Sequence, residues 1–65
     1  MVSRLSQPQV PGYAHILAWK HMARLRRHED EASAIEWLGR FADYWSERGY
    51  DVGKYRREIE NYKSG

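Results

Sequence analysis

Between Ala32 and Gly49 the chain reads ASAIEWLGRFADYWSERG, with Ile35, Leu38, Phe41, Ala42 and Trp45 recurring at steps of three and four. That spacing predicts an amphipathic helix near residues 31 to 48 with one buried face. Glu36, Asp43 and Glu47 fall opposite the stripe, with Arg40 among them as an i+4 partner for Glu36, and predict a solvated side. Gly49 supplies the left-handed residue that commonly ends a helix, and Arg48 is a suitable cation for the last turn.

Upstream, Tyr13 to Arg27 contains neither Gly nor Pro and is rich in strong helix formers, which predicts a first helix near residues 12 to 28. Its apolar pattern is broader. Ile16, Trp19 and Ala23 form one stripe, Ala18, Met22 and Leu25 a second, and Tyr13 with Leu17 a third. A helix apolar over so wide an arc is either central to a bundle or in contact with something outside its own chain. The remaining positions collect Lys20, His21, Arg24, Arg27 and His28, so the pattern predicts one greasy side and one basic side.

The run HEDEAS, His28 to Ser33, predicts a boundary, because cations suit the end of one helix and Glu29, Asp30 and Glu31 suit the start of the next. Asp30 is the expected N-cap, with Ser33 as second choice. No Gly or Pro stands here, so one long helix from Tyr13 to Arg48 is the competing arrangement. It would place Arg27 and Asp30 or Glu31 on a buried seam, and that cost favours a break.

After Gly49, Asp51 is the natural N-cap of a third helix near residues 51 to 63, in which Val52, Tyr55, Ile59 and Tyr62 make a narrow packing seam. Lys54 with Glu58, and Arg56 with Glu60, stand four apart and are expected to pair at the surface for about 0.2–0.5 kcal/mol each. Residues 1 to 12 hold two Pro with Ser and Gln and few apolar anchors, which predicts an extended arm, with Pro11 just before or at the first helical turn. The expected fold class is all-α: a small three-helix domain over 13–65 behind an extended N-terminal arm over 1–12.

Size then sharpens the meaning of the aromatic residues. A 65-residue chain buries a small share of its surface, and without cysteine it has no disulfide or thiolate metal site to support it. Three Trp, five Tyr and one Phe are more than such a core easily hides. Trp19, Trp37, Tyr44, Tyr50 and Tyr55 either complete the core or are shared with an interface. Trp37 and Tyr44, on the flank of the second helix, are the hardest to cover. The expected interface candidates are Tyr13, Leu17, Trp19, Met22, Trp37 and Tyr44, facing another protein or a second copy of the chain.

The charge balance is mild, 11 Lys and Arg against 9 Asp and Glu for a net +2, and does not announce a nucleic-acid binder. Its distribution still yields an anion-binding set: Lys20, Arg24 and Arg27 on the first helix, extended by Arg56 and Arg57 on the third. Acidic residues abut that set, so an ordinary solvated face explains it as well. The Gly49 turn resembles a helix-turn-helix connection only as any short helical hairpin does.

Catalytic patterns are absent. His15, His21 and His28 are six and seven apart rather than at metal-ligand spacing, HEDEA lacks the second histidine of HExxH, the glycines are isolated, and no base neighbours a serine. These observations predict no metal, no cofactor, no small-molecule substrate and no enzyme. No apolar run reaches membrane-spanning length, and the first residues lack a signal-peptide core, which predicts a soluble cytoplasmic protein without membrane contact. The expected function is a non-catalytic interaction module, an accessory subunit or regulator. The alternative is a small nucleic-acid-binding regulator.

Overall fold

The computed structural model describes residues 7–64 and contains three helices: α1, Gly12–Arg27; α2, Glu31–Glu47; and α3, Gly53–Ser64. The all-α expectation and the break between the first two helices both hold. The break is made without glycine. His28 (φ 59°) and Asp30 (φ 46°) both take the left-handed conformation, and the His28 and Glu29 amides close the end of α1 on the carbonyls of Leu25 and Arg24. Asp30 stands at the expected N-cap, but its side chain makes no capping hydrogen bond, and Ser33 lies inside α2.

The second turn follows sequence logic more closely. Gly49 is left-handed at φ +89°, and the Gly49 and Tyr50 amides donate to the carbonyls of Ser46 and Trp45. Asp51 Oδ1 then accepts the Gly53 amide at 2.9 Å, so it caps α3 from two residues ahead. The described part of the arm is tied to this turn. The Asp51 amide donates to the Pro8 carbonyl at 2.8 Å, Gln9 Nε2 donates to Asp51 Oδ2 at 3.2 Å, and Val10 is buried. Residues 1–6 of the expected arm lie outside the described residues.

The core consists of Ala14, Ala18, Met22 and Leu25 from α1, Ala34, Leu38, Phe41 and Ala42 from α2, and Val52 and Tyr55 from the α3 side, with Val10 closing one end. Ile35, Trp37, Trp45, Tyr50, Ile59 and Tyr62 pack around it, so the seams expected for the second and third helices are the ones used. Of the three stripes expected on α1 the second is the one turned inward, and one interface assignment is corrected. The inward row is Ala14, Ala18, Met22 and Leu25, so Met22, 6% exposed, belongs to the core and not to an interface. Ile16, Trp19 and Leu17 point away from the bundle instead. Two alanines facing inward let α1 approach its neighbours closely, which leaves the large side chains of the same turns outside.

Tyr55 joins the three helices. It is fully buried, meets Phe41 of α2 edge-on with ring centroids 5.0 Å apart, and shares a 2.8 Å hydrogen bond through its hydroxyl with His15 Nδ1 of α1. Burial raises the Tyr55 pKa, so the hydroxyl stays protonated. The expected surface pairs of α3 are replaced by pairs between helices. Glu58 accepts two hydrogen bonds from Arg26 of α1 at 3.0 and 3.1 Å, and Arg56 reaches Asp43 of α2 at 3.1 Å.

Leu38→Ala is expected to lower unfolding stability by about 2–5 kcal/mol in a denaturant titration, because Leu38 is fully buried in the core and its truncation leaves a cavity. Gly49→Ala should cost about 1–2 kcal/mol in the same titration. No atom obstructs a Cβ there, so the loss reflects the left-handed backbone alone.

Candidate functional site

The inversion of α1 creates the most distinctive surface of the molecule. Tyr13 is 70% exposed, Ile16 61%, Trp19 55% and Leu17 48%, all within the first two turns, and Tyr44 of α2 is 49% exposed beside them. Tyr13 meets the edge of Trp45 at 6.5 Å between centroids, and Trp45 meets Tyr44 at 5.1 Å, so the Tyr13 flank of the α1 group is linked to Tyr44 through Trp45. Arg48 lies over the Tyr44 ring, 3.6 Å from its centroid, and donates to the Tyr44 carbonyl at 3.0 Å.

Of the expected interface residues, Tyr13, Leu17, Trp19 and Tyr44 therefore lie on the surface. Trp37 is half-buried. It stacks on Phe41 at 5.0 Å and on His21 at 4.0 Å with an 18° tilt, so α1 covers much of the flank that the sequence leaves open. Ile16 is the residue that sequence reasoning missed. Its signal is its row: Ile16, Lys20, Ala23 and Arg27 follow one another at i, i+4, i+7 and i+11, and two cations on that row mark it as the solvent side.

His21 and His28, expected on the basic side of the first helix, are placed differently. No histidine lies on a plain solvated basic face: His15 bonds to Tyr55, and His28 is exposed but donates to Glu31 at 2.8 Å. His21 turns inward onto Trp37, and its Nδ1 is buried with no hydrogen-bond partner among the described residues. Removal from water, reinforced by the neighbouring charges of Arg24 and Lys20, holds the His21 pKa below the ordinary 6.5.

The five anion-binding candidates do not converge on one face. Lys20, Arg24 and Arg27 share the outer side of α1, not the side opposite its exposed apolar residues, and Arg24 stands 4.0 Å from Asp30. Arg56 is engaged with Asp43 on the side where α2 meets α3, and Arg57 projects from the back of α3.

An open groove of ≈ 620 Å³ runs between the C-terminal ends of α1 and α3, along Leu25, Arg26, Glu58 and Tyr62. Two of its charged groups hold each other, Arg26 and Glu58, and His28 at its edge donates to Glu31, whose carboxyl that bond holds below the usual range. Among the described residues no three His, Asp or Glu side chains gather as metal ligands, and no helix is long and apolar enough to cross a membrane.

No protein-family model, curated protein or solved structure matches the chain.

His21 gives the surface a pH signature. The unfolded chain takes up a proton near pH 6.5, and the folded chain does so only at lower pH, so the stability from neutral His21 is complete above 6.5 and is lost as pH falls through the lowered value. Glu31 adds a loss below its ordinary 4.5 for the same reason. Urea titrations across this range should show a downward slope starting near pH 6.5 that is flatter in His21→Phe, which keeps an aromatic ring on Trp37. An unchanged slope in the variant would assign it to other groups.

Proposed function

We propose that the protein is a non-catalytic interaction module that docks onto another protein through the outer face of α1 together with Tyr44. The observation that carries this reading is the exposure of Tyr13, Ile16, Leu17 and Trp19 within two turns of one helix. Single surface apolar residues are ordinary, but four large ones exposed within two helical turns, with cations next along the same helix, are characteristic of a binding surface. Trp and Tyr are also the side chains that most often dominate binding energy. Accessory-subunit or regulatory roles fit such a module, and the absence of cysteine fits a cytoplasmic setting.

The nucleic-acid alternative draws less support. Its cations are divided among separate faces, with Lys20, Arg24 and Arg27 on α1, Arg56 held by Asp43, and Arg57 on the back of α3.

The test is capture from the native host with tagged wild-type protein, with and without nuclease. The docking reading expects one or more proteins retained after nuclease treatment and lost at least roughly tenfold on Ile16→Gln with Trp19→Gln, a change of about 1.4 kcal/mol or more. The Arg57→Gln variant, on the back of α3, should retain them. Retention that disappears with nuclease, or that ignores the Ile16 and Trp19 changes, would contradict the reading.

A further inference from the structure

The outer face of α1 is divided along its length, apolar over the first two turns and cationic over the rest. The row Ile16, Lys20, Ala23 and Arg27 passes from one region to the other, flanked by Tyr13, Leu17 and Arg24 on one side and Trp19 on the other. A helix laid along α1 would meet this row first, and Ala23 at its middle permits close approach.

Several cations outside this face are paired with carboxylates, while those on it are not closely held. Arg26, Arg40 and Arg56 each hold a carboxylate at 2.8–3.1 Å. Lys20 and Arg27 hold none among the described residues, and Arg24 has only the 4.0 Å approach of Asp30. No acidic residue occurs anywhere in α1. The face thus carries an unanswered positive charge beside an uncovered apolar group, and a partner that answers both is acidic at one end and apolar at the other.

We propose that this surface receives an acidic amphipathic helix of another protein, lying antiparallel to α1, with Asp or Glu in its first turns against Lys20, Arg24 and Arg27 and aliphatic or aromatic residues in its later turns against Tyr13, Ile16, Leu17 and Trp19. The inference rests on the docking function proposed above and adds the chemistry of the partner. The antiparallel direction follows from helix dipoles, since acidic side chains are best placed at a helix N-terminus. An anionic bilayer fits less well, because a helix lying in the interface keeps its cations on the flanks of its apolar stripe, whereas Lys20 and Arg27 occupy the midline. Nucleic acid fits less well because the remaining cations lie elsewhere, with Arg56 held by Asp43 and Arg57 on the back of α3, so no basic track leads along a phosphate backbone past the exposed aromatic rings.

The probe is a blocked peptide of about 18 residues, roughly 27 Å as a helix, with Glu in its first half and a Leu and Trp stripe in its second. Its control replaces every Glu by Gln. Titrated into isotopically labelled full-length protein, the acidic peptide is expected to shift amide resonances along α1 and near Tyr44. It should bind at least roughly tenfold more tightly than the Gln peptide, and that preference should shrink with added salt. Lys20→Glu with Arg27→Glu should abolish the preference, and Lys20→Gln with Arg27→Gln provides the same test should charge reversal disturb the fold.

Equal binding of both peptides, no binding of either, or resonance shifts elsewhere would overturn the proposal. So would binding to phosphatidylglycerol vesicles or oligothymidine, or self-association in sedimentation, where the acidic peptide has no effect. Host capture that is sensitive to Ile16→Gln with Trp19→Gln but indifferent to the charge changes would overturn this inference while leaving the docking function standing.

Discussion

Tyr55 is the interaction on which the arrangement of helices depends. A bundle of three short helices has little interior, and here one aromatic side chain fills its centre while its hydroxyl finds a partner in His15. A buried hydroxyl without that bond would carry a desolvation cost of about 1–3 kcal/mol, so the contact sets the rotation of α1 as well as its position. Phe41 against the other side of the ring holds α2 in the same way. The α1 rotation then decides what the rest of the surface looks like.

With His15 turned to Tyr55 and His21 turned to Trp37, the inward positions of the first turns of α1 are Ala14 and Ala18. Both alanines are fully covered by the neighbouring elements. Tyr13, Ile16, Leu17 and Trp19 are consequently exposed by the packing geometry itself rather than by any local loosening. A helix whose first turns point alanine inward and Ile, Leu and Trp outward contributes less to folding there than its composition permits. The docking proposal accounts for that arrangement by giving those side chains a surface to meet.

Much of the fold is legible in the sequence because α2 and α3 have conventional stripes and clear stops. Leu38, Phe41 and Ala42 are buried where their spacing puts them, Asp51 caps α3, and Gly49 turns the chain. The break at His28 and Asp30 is signalled by charge and only weakly by residue type. The backbone there is left-handed at two non-glycine residues, a histidine and an aspartate, types that enter this region more often than most but far less often than glycine. The rotation of α1 is legible least of all, because three apolar stripes compete and hydrophobicity alone favours the larger side chains. Small-residue packing and aromatic partners of histidine, both properties of the assembled bundle, decide it. The pairing of Glu58 with Arg26 instead of Lys54 is tertiary in the same sense.

The central claim is that the large apolar side chains of α1 contribute to something other than the stability of this chain. The most direct measurement is the unfolding free energy of purified Ile16→Gln with Trp19→Gln, by denaturant titration with the wild type alongside. Since Gln is a good helix former and both sites are exposed, the account predicts a change within about 1 kcal/mol and an unchanged dependence on denaturant. A loss of several kcal/mol, on the scale of a core truncation, would show that these side chains belong to the interior of the folded chain and would contradict the account.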